Sequence, residues 1–509
     1  MTPAVLPEVV AFLQSLGGKK TEVVETHISM VFLTGERAFK VKKPVKFPYL
    51  DYSTPALRKA LCEEEIKVNR RTAPAIYLGL RSITKEADGS VAFDGDGDVI
   101  DWAVEMRQFD QTTLFDRYPT HESMDRHLLE RLAQSIALFH REAEVRADKG
   151  GYDGLNFIVE NNAQCLEAWG NDLFEPTLIA TLNEKARAEI RSVKEMLDHR
   201  KANQCVRHCH GDLHLRNICM VDGEPVLFDA IEFSDDISCI DVLYDLAFLL
   251  MDFDFKGRRH EASLVFNRYM DMTGDVKDLA SLPLMMSLRA AIRGHVGASA
   301  LNAHPQSEWP ASVVAETQAY LSSAVAYLDK EPPRLLAVGG LSGSGKSRLA
   351  RELSPQIFQA PGALVLRTDA IRKRLVGRLP LERLGKDAYT PEMSDKTYEA
   401  LYRDALNALK AGHSVIADAV FARPEERQAI EAVAQEAGVP FDGLWVDAPL
   451  NVRTERVTKR AKNVSDADAK VVKQQMSYDL GEMTWMEVDS SGEREATVAK
   501  GLERLGINH

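Results

Sequence analysis

The most regular patterning in the first hundred residues is short and strand-like. Ser29–Leu33 and Arg37–Lys42 are apolar-rich runs joined by Thr34-Gly35-Glu36, which predicts a β-hairpin. A short helix is expected before them. A helix over about Pro55 to Thr72 and a strand over Val99 to Arg107 follow. From about Met124 the apolar spacing turns helical, broken by a loop-and-strand region from Val206 to Phe233. The last helical pattern of this half, Trp309 to Leu328, runs into Pro332-Pro333, which cannot continue a helix. Beyond it the pattern alternates. Strands at Leu335–Val338, Ala363–Arg367, Ser414–Asp418 and Gly443–Asp447 are separated by helical stretches, which predicts a parallel sheet covered by helices. The expected division is therefore 1–332 (a small β-rich lobe at about 20–108, a helical lobe at about 109–330) and 333–509.

Composition narrows the class. The 509 residues are 45% hydrophobic and 27% charged, the balance of a globular protein. A formal net charge of -13 opposes general affinity for nucleic acid or anionic membrane. All six cysteines lie between Cys62 and Cys239, which reads as reduced thiols and a cytoplasmic setting. No run of about 18 apolar residues is present, and VLYDLAFLLMDF, interrupted by Asp245 and Asp252, reads as a buried helix. The N-terminal segment has neither the basic start nor the apolar core of a signal peptide.

Gly340-Leu341-Ser342-Gly343-Ser344-Gly345-Lys346-Ser347 satisfies GxxxxGK[ST] between a strand and a helix. Gly340, Gly343 and Gly345 let the backbone curl so that its N–H groups, with those of Ser342 and Ser344, face phosphate oxygens. Lys346 is expected at the β- and γ-phosphates and Ser347 at Mg²⁺. Asp369 and Arg372, in Thr368-Asp369-Ala370-Ile371-Arg372, follow a strand end, where ligands bind in such sheets. Asp369 is either the base that orients an acceptor hydroxyl or a helix cap, and Arg372 is suited to an anion. Asp418 ends a strand as a second metal candidate, against the alternative of a solvent-facing strand end. Arg453, Arg456 and Arg460 are either a cationic lid or a solvated helix face. The order GGLSGSGKS, TDAIR, IADAVF, arginine helix resembles small-molecule kinases of the P-loop class and the zeta-toxin-like kinases. The resemblance implies nucleotide-dependent phosphoryl transfer, with Asp369 as base.

The first half carries a second constellation. His210-Gly211-Asp212-Leu213-His214-Leu215-Arg216-Asn217 is followed by an apolar run that delivers Asp229. Phosphoryl transfer needs a carboxylate at the acceptor hydroxyl and an amide and a carboxylate at the metal. Asp212, Asn217 and Asp229 supply these in kinase order. HGDLHLRN with LFDAIEF resembles the aminoglycoside phosphotransferase family, relatives of protein kinases. Asp241 and Asp245 resemble its structural Asp, and Leu132 to Glu142 the helix before its catalytic region. The resemblance implies a strand lysine paired with a helix glutamate. Lys40 and Lys42 project to one face of their strand, and Glu65 is the chosen partner for either. Glu105 and Arg107 stand where a hinge would meet adenine. No GxGxxG loop precedes Lys40. Cys205, His208, Cys209, His210 and His214 crowd together but lack the two spaced ligand pairs of a zinc site.

The expected architecture is thus an N-terminal α+β protein-kinase-like domain and a C-terminal α/β P-loop domain, each binding ATP or GTP with Mg²⁺. The expected partner is a small molecule bearing a hydroxyl. Alternatives are an antibiotic-modifying enzyme of the aminoglycoside type, or a regulatory protein in which one nucleotide site is catalytic. His295, Arg289 and Arg293, on one helical stretch, either line an acceptor pocket or are structural.

Overall fold

The computed structural model describes residues 5–17, 21–26, 28–47, 50–119, 121–170, 172–459, 464–466 and 469–507. The chain packs as two compact units, 1–155 with 198–249, and 156–197 with 250–509. Compactness thus divides the chain inside three helices rather than at the proline pair.

The first unit is built on a six-stranded antiparallel sheet. Its strands are β1 (Glu22–Glu25), β2 (Ser29–Leu33), β3 (Arg37–Lys42), β4 (Tyr77–Lys85), β5 (Val91–Phe93) and β6 (Asp98–Arg107), in the spatial order β1-β2-β3-β6-β4-β5. The period of two along β3 sorts its residues by face. Phe39 and Val41 join Val9 and Leu13 of α1 (Pro7–Leu16) in one core. Ala38 packs on the opposite face, in a core that includes Cys62 and Ile66 of α2 (Pro55–Asn69). Lys40 and Lys42 share that face with Ala38, so the pattern turns both lysines toward α2. Thr54 caps α2, accepting from the Leu57 N–H, and Pro55 occupies its first turn, where a missing N–H costs nothing. The unit also holds α3 (Arg126–Glu142), β7 (Val206–His208), the hairpin β8 (Ile218–Val221) and β9 (Glu224–Leu227), and β10 (Cys239–Asp241) paired with β7.

The helices α4 (Gly151–Trp169), α5 (Pro176–Ser192) and α6 (Lys194–Ala202) come between α3 and β7, and α7 (Val242–Phe255) follows β10. The second unit continues with α8 (Arg259–Thr273), α9 (Leu282–Asn302) and α10 (Ala311–Ala326). Next comes a five-stranded, wholly parallel sheet: β11 (Leu335–Gly339), β12 (Leu364–Arg367), β13 (Val415–Asp418), β14 (Phe441–Asp447) and β15 (Met486–Asp489), ordered β12-β13-β11-β14-β15. Its helices are α11 (Lys346–Leu353), α12 (Thr368–Leu375), α13 (Pro391–Lys410), α14 (Pro424–Ala437), α15 (Leu450–Thr458) and α16 (Arg494–Arg504). Leu336, Val338, Ile416 and Val446 pack with Leu349, Leu353 and Leu502. Strands buried in this way read as continuous apolar runs, which is why four of the five stood out in the sequence. No helix among the described residues is long and apolar enough to cross a membrane.

Candidate functional site

In the first unit the two strand lysines meet one carboxylate. Lys40 Nζ lies 2.8 Å from Glu65 Oε1 and 2.7 Å from Asp229 Oδ1. Lys42 Nζ lies 2.7 Å from Glu65 Oε2 and 2.5 Å from Glu232 Oε1. Either lysine was an expected partner of Glu65, and the structure gives it both. Burial opposes the charge on each lysine, but Asp229 and Glu65 around Lys40, and Glu232 and Glu65 around Lys42, more than offset it and hold both pKa values well above normal. Burial likewise opposes the Glu65 carboxylate, and the two lysines reverse that and depress its pKa. Of the two, Lys40 is the one that also reaches Asp229. Lys42 is fully enclosed, with Tyr52 Oη 3.2 Å away.

Asp229 has a φ of 61°, a left-handed conformation unusual outside glycine. Its neighbours fix it there. The Asp229 N–H donates to Tyr77 Oη (3.2 Å), the Ala230 N–H to Asn69 Oδ1 (2.8 Å) and the Ile231 N–H to the His210 carbonyl (2.9 Å). The result is a carboxylate turned outward, 45% exposed, where a cation can reach it. Asn217 Nδ2 donates to Asp212 Oδ2 (3.0 Å) and to the Asp212 carbonyl (2.9 Å), and the Phe228 N–H donates to the Asn217 carbonyl (3.0 Å). Asp212, Asn217 and Asp229 therefore stand on two hydrogen-bonded loops, with Asn217 oxygen and the Asp229 carboxylate suited to Mg²⁺.

Asp245 holds this loop from beneath. Its oxygens accept the His210 N–H (3.1 Å) and the Gly211 N–H (2.9 Å), and His140 Nε2 lies 3.1 Å away. His140, Cys209 and Asp245 bring ligand-type atoms within 4.8 Å of one another. The carboxylate is committed to the loop, however, and burial pushes the Cys209 thiol well up, so it stays protonated. The cluster is a brace. Asp241 has a separate task, a buried two-point pairing with Arg200 at 2.7 and 2.8 Å.

The hinge residues behave differently from the strand lysines. Glu105 lies on β6 opposite Phe39, and its carboxylate faces Arg81 (3.1 Å) and Arg37 (3.5 Å). Arg107 is spent on Asp222, with contacts at 2.9 and 3.0 Å. A cavity of about 160 Å³ lies beside the strand end, lined by residues that include Ile76, Arg107, Gln108, Phe109, Asp110 and Met220. Where a glycine-rich cover would lie, the turn between β1 and β2 is tied by a side chain instead. Thr26 Oγ1 accepts the N–H of Ser29 at 3.0 Å.

In the second unit the phosphate loop follows β11. Gly340, Gly343 and Gly345 have φ of 146°, 83° and 98°. A Cβ on Gly343 would lie 2.5 Å from the Arg453 carbonyl oxygen, and one on Gly340 2.4 Å from that of Val446. The loop is thus a cradle only glycine can line at those points. Its last glycine caps α11, whose N-terminus carries Lys346 and Ser347. Asp418, at the end of β13 and 3% exposed, is hydrogen-bonded by Ser347. Its Oδ1 is buried with no hydrogen-bond partner among the described residues. Burial raises the Asp418 pKa, while Lys346, Ser347 and Arg367 pull the other way. A buried carboxylate oxygen left over beside the phosphate-loop serine fits a divalent cation.

Asp369 lies half-buried in the first turn of α12. Arg372 is buried, donates Nη1 to the Ala388 carbonyl (3.0 Å) and lies over the Tyr389 ring at 5.0 Å. Its Nε has no hydrogen-bond partner among the described residues. Tyr389 donates to Asp466 Oδ2 (2.8 Å), and burial, that hydrogen bond and the Asp369 charge hold its phenol protonated. Asp369, Arg372 and Tyr389 thus form one polar patch. The arginines of α15 divide. Arg456 donates to the Ser344 carbonyl (3.3 Å), Ser490 Oγ (3.2 Å) and the Ser490 carbonyl (2.6 Å), so it braces the phosphate loop. Arg453 is buried against the residues around Val472 and Met476. Arg460 lies outside the described residues.

Residues 82–278 match the family model described as phosphotransferase enzyme family, and 335–479 match an AAA domain. The chain joins a kinase-like domain to a P-loop domain. An uncharacterised protein of Mycobacterium tuberculosis is 27% identical over 490 residues, 94% of each chain. The adenylyl-sulfate kinase of Myxococcus xanthus is 32% identical over 125 residues, 25% of this chain and 63% of that one. Among solved structures, a choline/ethanolamine kinase family protein from Mesorhizobium loti covers 63% of this chain and 99% of its own, at 12% identity and a TM-score of 0.36.

Sequence reasoning missed several residues in both domains. In the kinase-like domain Glu232 and Tyr52 complete the buried Lys42 network, with Tyr52 Oη donating to Glu232 at 2.9 Å. In the P-loop domain Gln475 Oε1 accepts the Ser342 N–H (2.7 Å), and Ser490 Oγ donates to the Ser344 carbonyl (2.5 Å). Gln475 lies 133 residues from the loop it holds, so no local spacing marks it. In the helical part, His295 is bonded to Asn162 (3.1 Å) and burial lowers its pKa to about 4, while Arg293 lies over the Tyr320 ring at 5.4 Å.

Proposed function

We propose that the protein is a phosphotransferase with two nucleotide sites, each moving a γ-phosphate from ATP or GTP to a hydroxyl of a small molecule in the cytoplasm. In the kinase-like domain, Asp212 orients the acceptor hydroxyl and takes its proton. Lys40, steered by Glu65, meets the phosphates. Asn217 and Asp229 hold Mg²⁺. In the P-loop domain the backbone of Gly340 to Ser347 cradles the phosphates, Lys346 neutralises them, Ser347 and Asp418 hold Mg²⁺, and Asp369 orients the acceptor beside Arg372. Bound Mg²⁺ would neutralise charge on the transferring phosphoryl group. The remaining task of the protein is to position the groups and exclude competing water. The module boundary lies near residue 332.

The observation that supports this reading is that Asp229 lies against Lys40 beside the Asp212–Asn217 loop, and that the buried Asp418 lies beside Ser347 of the phosphate loop. A decayed kinase fold retains its core but has no selection to keep an outward-turned Asp229 in a left-handed conformation that its neighbours hold by hydrogen bonds. The test is transfer of labelled γ-phosphate, with Mg²⁺, into a metabolite extract, read by mass spectrometry. Wild type, Asp212→Asn and Asp369→Asn are compared. Each variant should lose a different labelled product. Label confined to inorganic phosphate in all three would refute the reading and leave a nucleotide-responsive regulatory protein. Products restricted to added aminoglycosides would favour the antibiotic-modifying alternative.

A further inference from the structure

The phosphotransferase-family match ends at residue 278, and the P-loop match begins at 335. Yet α8, inside the first match, lies in the same compact unit as the parallel sheet and packs against it. β12 is an edge strand, with one side that faces no neighbouring strand. Asn267 of α8 fills that role of a partner. Its Oδ1 accepts the Val365 N–H (2.7 Å), and its Nδ2 donates to the Ala363 carbonyl (3.3 Å) and to Ser354 Oγ (3.2 Å). Ser263 and Ser354 share a hydrogen bond of 2.7 Å, and His260 pairs with Glu352 of α11 at 3.0 Å. One helix of the kinase-like segment therefore grips the edge strand β12 and the C-terminal end of α11, the helix that follows the phosphate loop.

At the end of this seam Asp271 pairs with Arg367. The pair is enclosed, with side chains 5% and 16% exposed. Arg367 is the last residue of β12 and stands in register with Asp418 on β13. Residues in register on neighbouring parallel strands project to the same face of the sheet. The guanidinium is thus a second cation, after Lys346, beside the carboxylate that is to hold Mg²⁺, and its charge is felt there. An arginine able to swing onto Asp418 would form the two-point pairing that guanidinium and carboxylate favour, and would occupy the oxygens a metal needs.

We propose that Asp271 is a positioning residue for the P-loop site: by holding Arg367 it keeps Asp418 open to Mg²⁺, so that a residue of the kinase-like segment sets the metal affinity of the other nucleotide site. This rests on the proposed role of Asp418. Asp271 acts through Arg367, and its loss does not remove a metal ligand. The defect should therefore appear in the Mg²⁺ requirement and vanish when Arg367 is also removed.

The test uses the full chain carrying Asp229→Asn, which silences the metal position of the kinase-like site. A fluorescent ATP analogue is titrated at varied Mg²⁺ and, separately, in EDTA. Asp271→Asn should raise the Mg²⁺ concentration for half-maximal tightening about 3- to 10-fold, with metal-free affinity within about 2-fold, the size expected of one displaced charge contact. Adding Arg367→Gln should restore the parent value, as should Asp271→Glu alone. Arg367→Gln by itself should leave the requirement at or below that of the parent, which keeps the idea testable even if Asp271→Asn does not fold. Equal weakening with and without metal, or no rescue by Arg367→Gln, would overturn the proposal. A parent protein whose nucleotide binding ignores Mg²⁺, and whose Asp418→Asn variant binds as well, would sink the assignment of Asp418 and this inference with it. An unchanged Asp271→Asn in a Mg²⁺-dependent parent would sink only the inference.

Discussion

At the scale of single residues, both candidate sites rest on residues whose positions are over-determined. Gly343 is one. Its φ of 83° and the carbonyl 2.5 Å from where a Cβ would stand leave no room for alanine. Gly343→Ala should weaken nucleotide binding at the P-loop at least ~10-fold, measured by analogue titration on the Asp229→Asn background, because loop and α15 must both shift. Binding within 2-fold of the parent would mean that this glycine does not shape the cradle. Asp245 is another. It is fully buried and holds two loop N–H groups, so Asp245→Ala should cost about 3–5 kcal/mol in denaturant unfolding of the domain. A loss under about 1 kcal/mol would contradict its role as the brace under Asp212. The loop motifs that carry Asp212, Asn217, Asp229 and Lys346 were legible because each is a short run of special residue types. Glu232 sits three positions past Asp229 and was passed over, because nothing in the run says which face of the turn it takes. Gln475 and Ser490 were invisible, since they meet the phosphate loop only through the tertiary fold.

At the scale of elements, period and punctuation did most of the work. Ser29–Leu33 and Arg37–Lys42 are strands with the boundaries expected of them, because alternation and the Thr34-Gly35-Glu36 turn agree. Met486–Asp489, the fifth strand of the parallel sheet, was not foreseen. It is four residues long, at the sheet edge, with glutamate and aspartate facing out, so it lacks the apolar run of its neighbours. The strand ends also carry a pH liability. His413, between α13 and β13, is fully enclosed, and burial outweighs its bond to the Gly362 carbonyl and lowers its pKa to about 4. His295 on α9 is lowered to about 4 by burial as well. Each is neutral when folded and takes up its proton near 6.5 when unfolded. The unfolded chain therefore binds more protons between about pH 6.5 and 4, and stability of this unit should fall as pH drops through that window. Each histidine contributes on the order of 3 kcal/mol by the bottom of the window. Denaturant midpoints at pH 7.5, 6 and 4.5 check this, and His413→Gln should flatten the slope. A slope unchanged by that substitution would show that His413 is not the group that titrates.

At the scale of the whole molecule, one chain carries two family segments, a phosphotransferase-family match at 82–278 and an AAA-domain match at 335–479. The alternation of strand and helix after residue 332 made the second legible as a P-loop fold. The sequence did not reveal that compact packing would place α8 with the parallel sheet, because a helix written in one family segment gives no sign of the neighbour it will cover. The polar seam of Ser263, Asn267 and Asp271 is ordinary in sequence and acquires meaning only against β12. The central claim is that both sites bind nucleotide. The most direct test is the stoichiometry of a non-hydrolysable ATP analogue with Mg²⁺, by equilibrium dialysis. Two equivalents per chain are expected for wild type, one for Lys346→Ala and one for Asp229→Asn. A single equivalent in wild type, abolished by either substitution alone, would contradict the account of two independent sites.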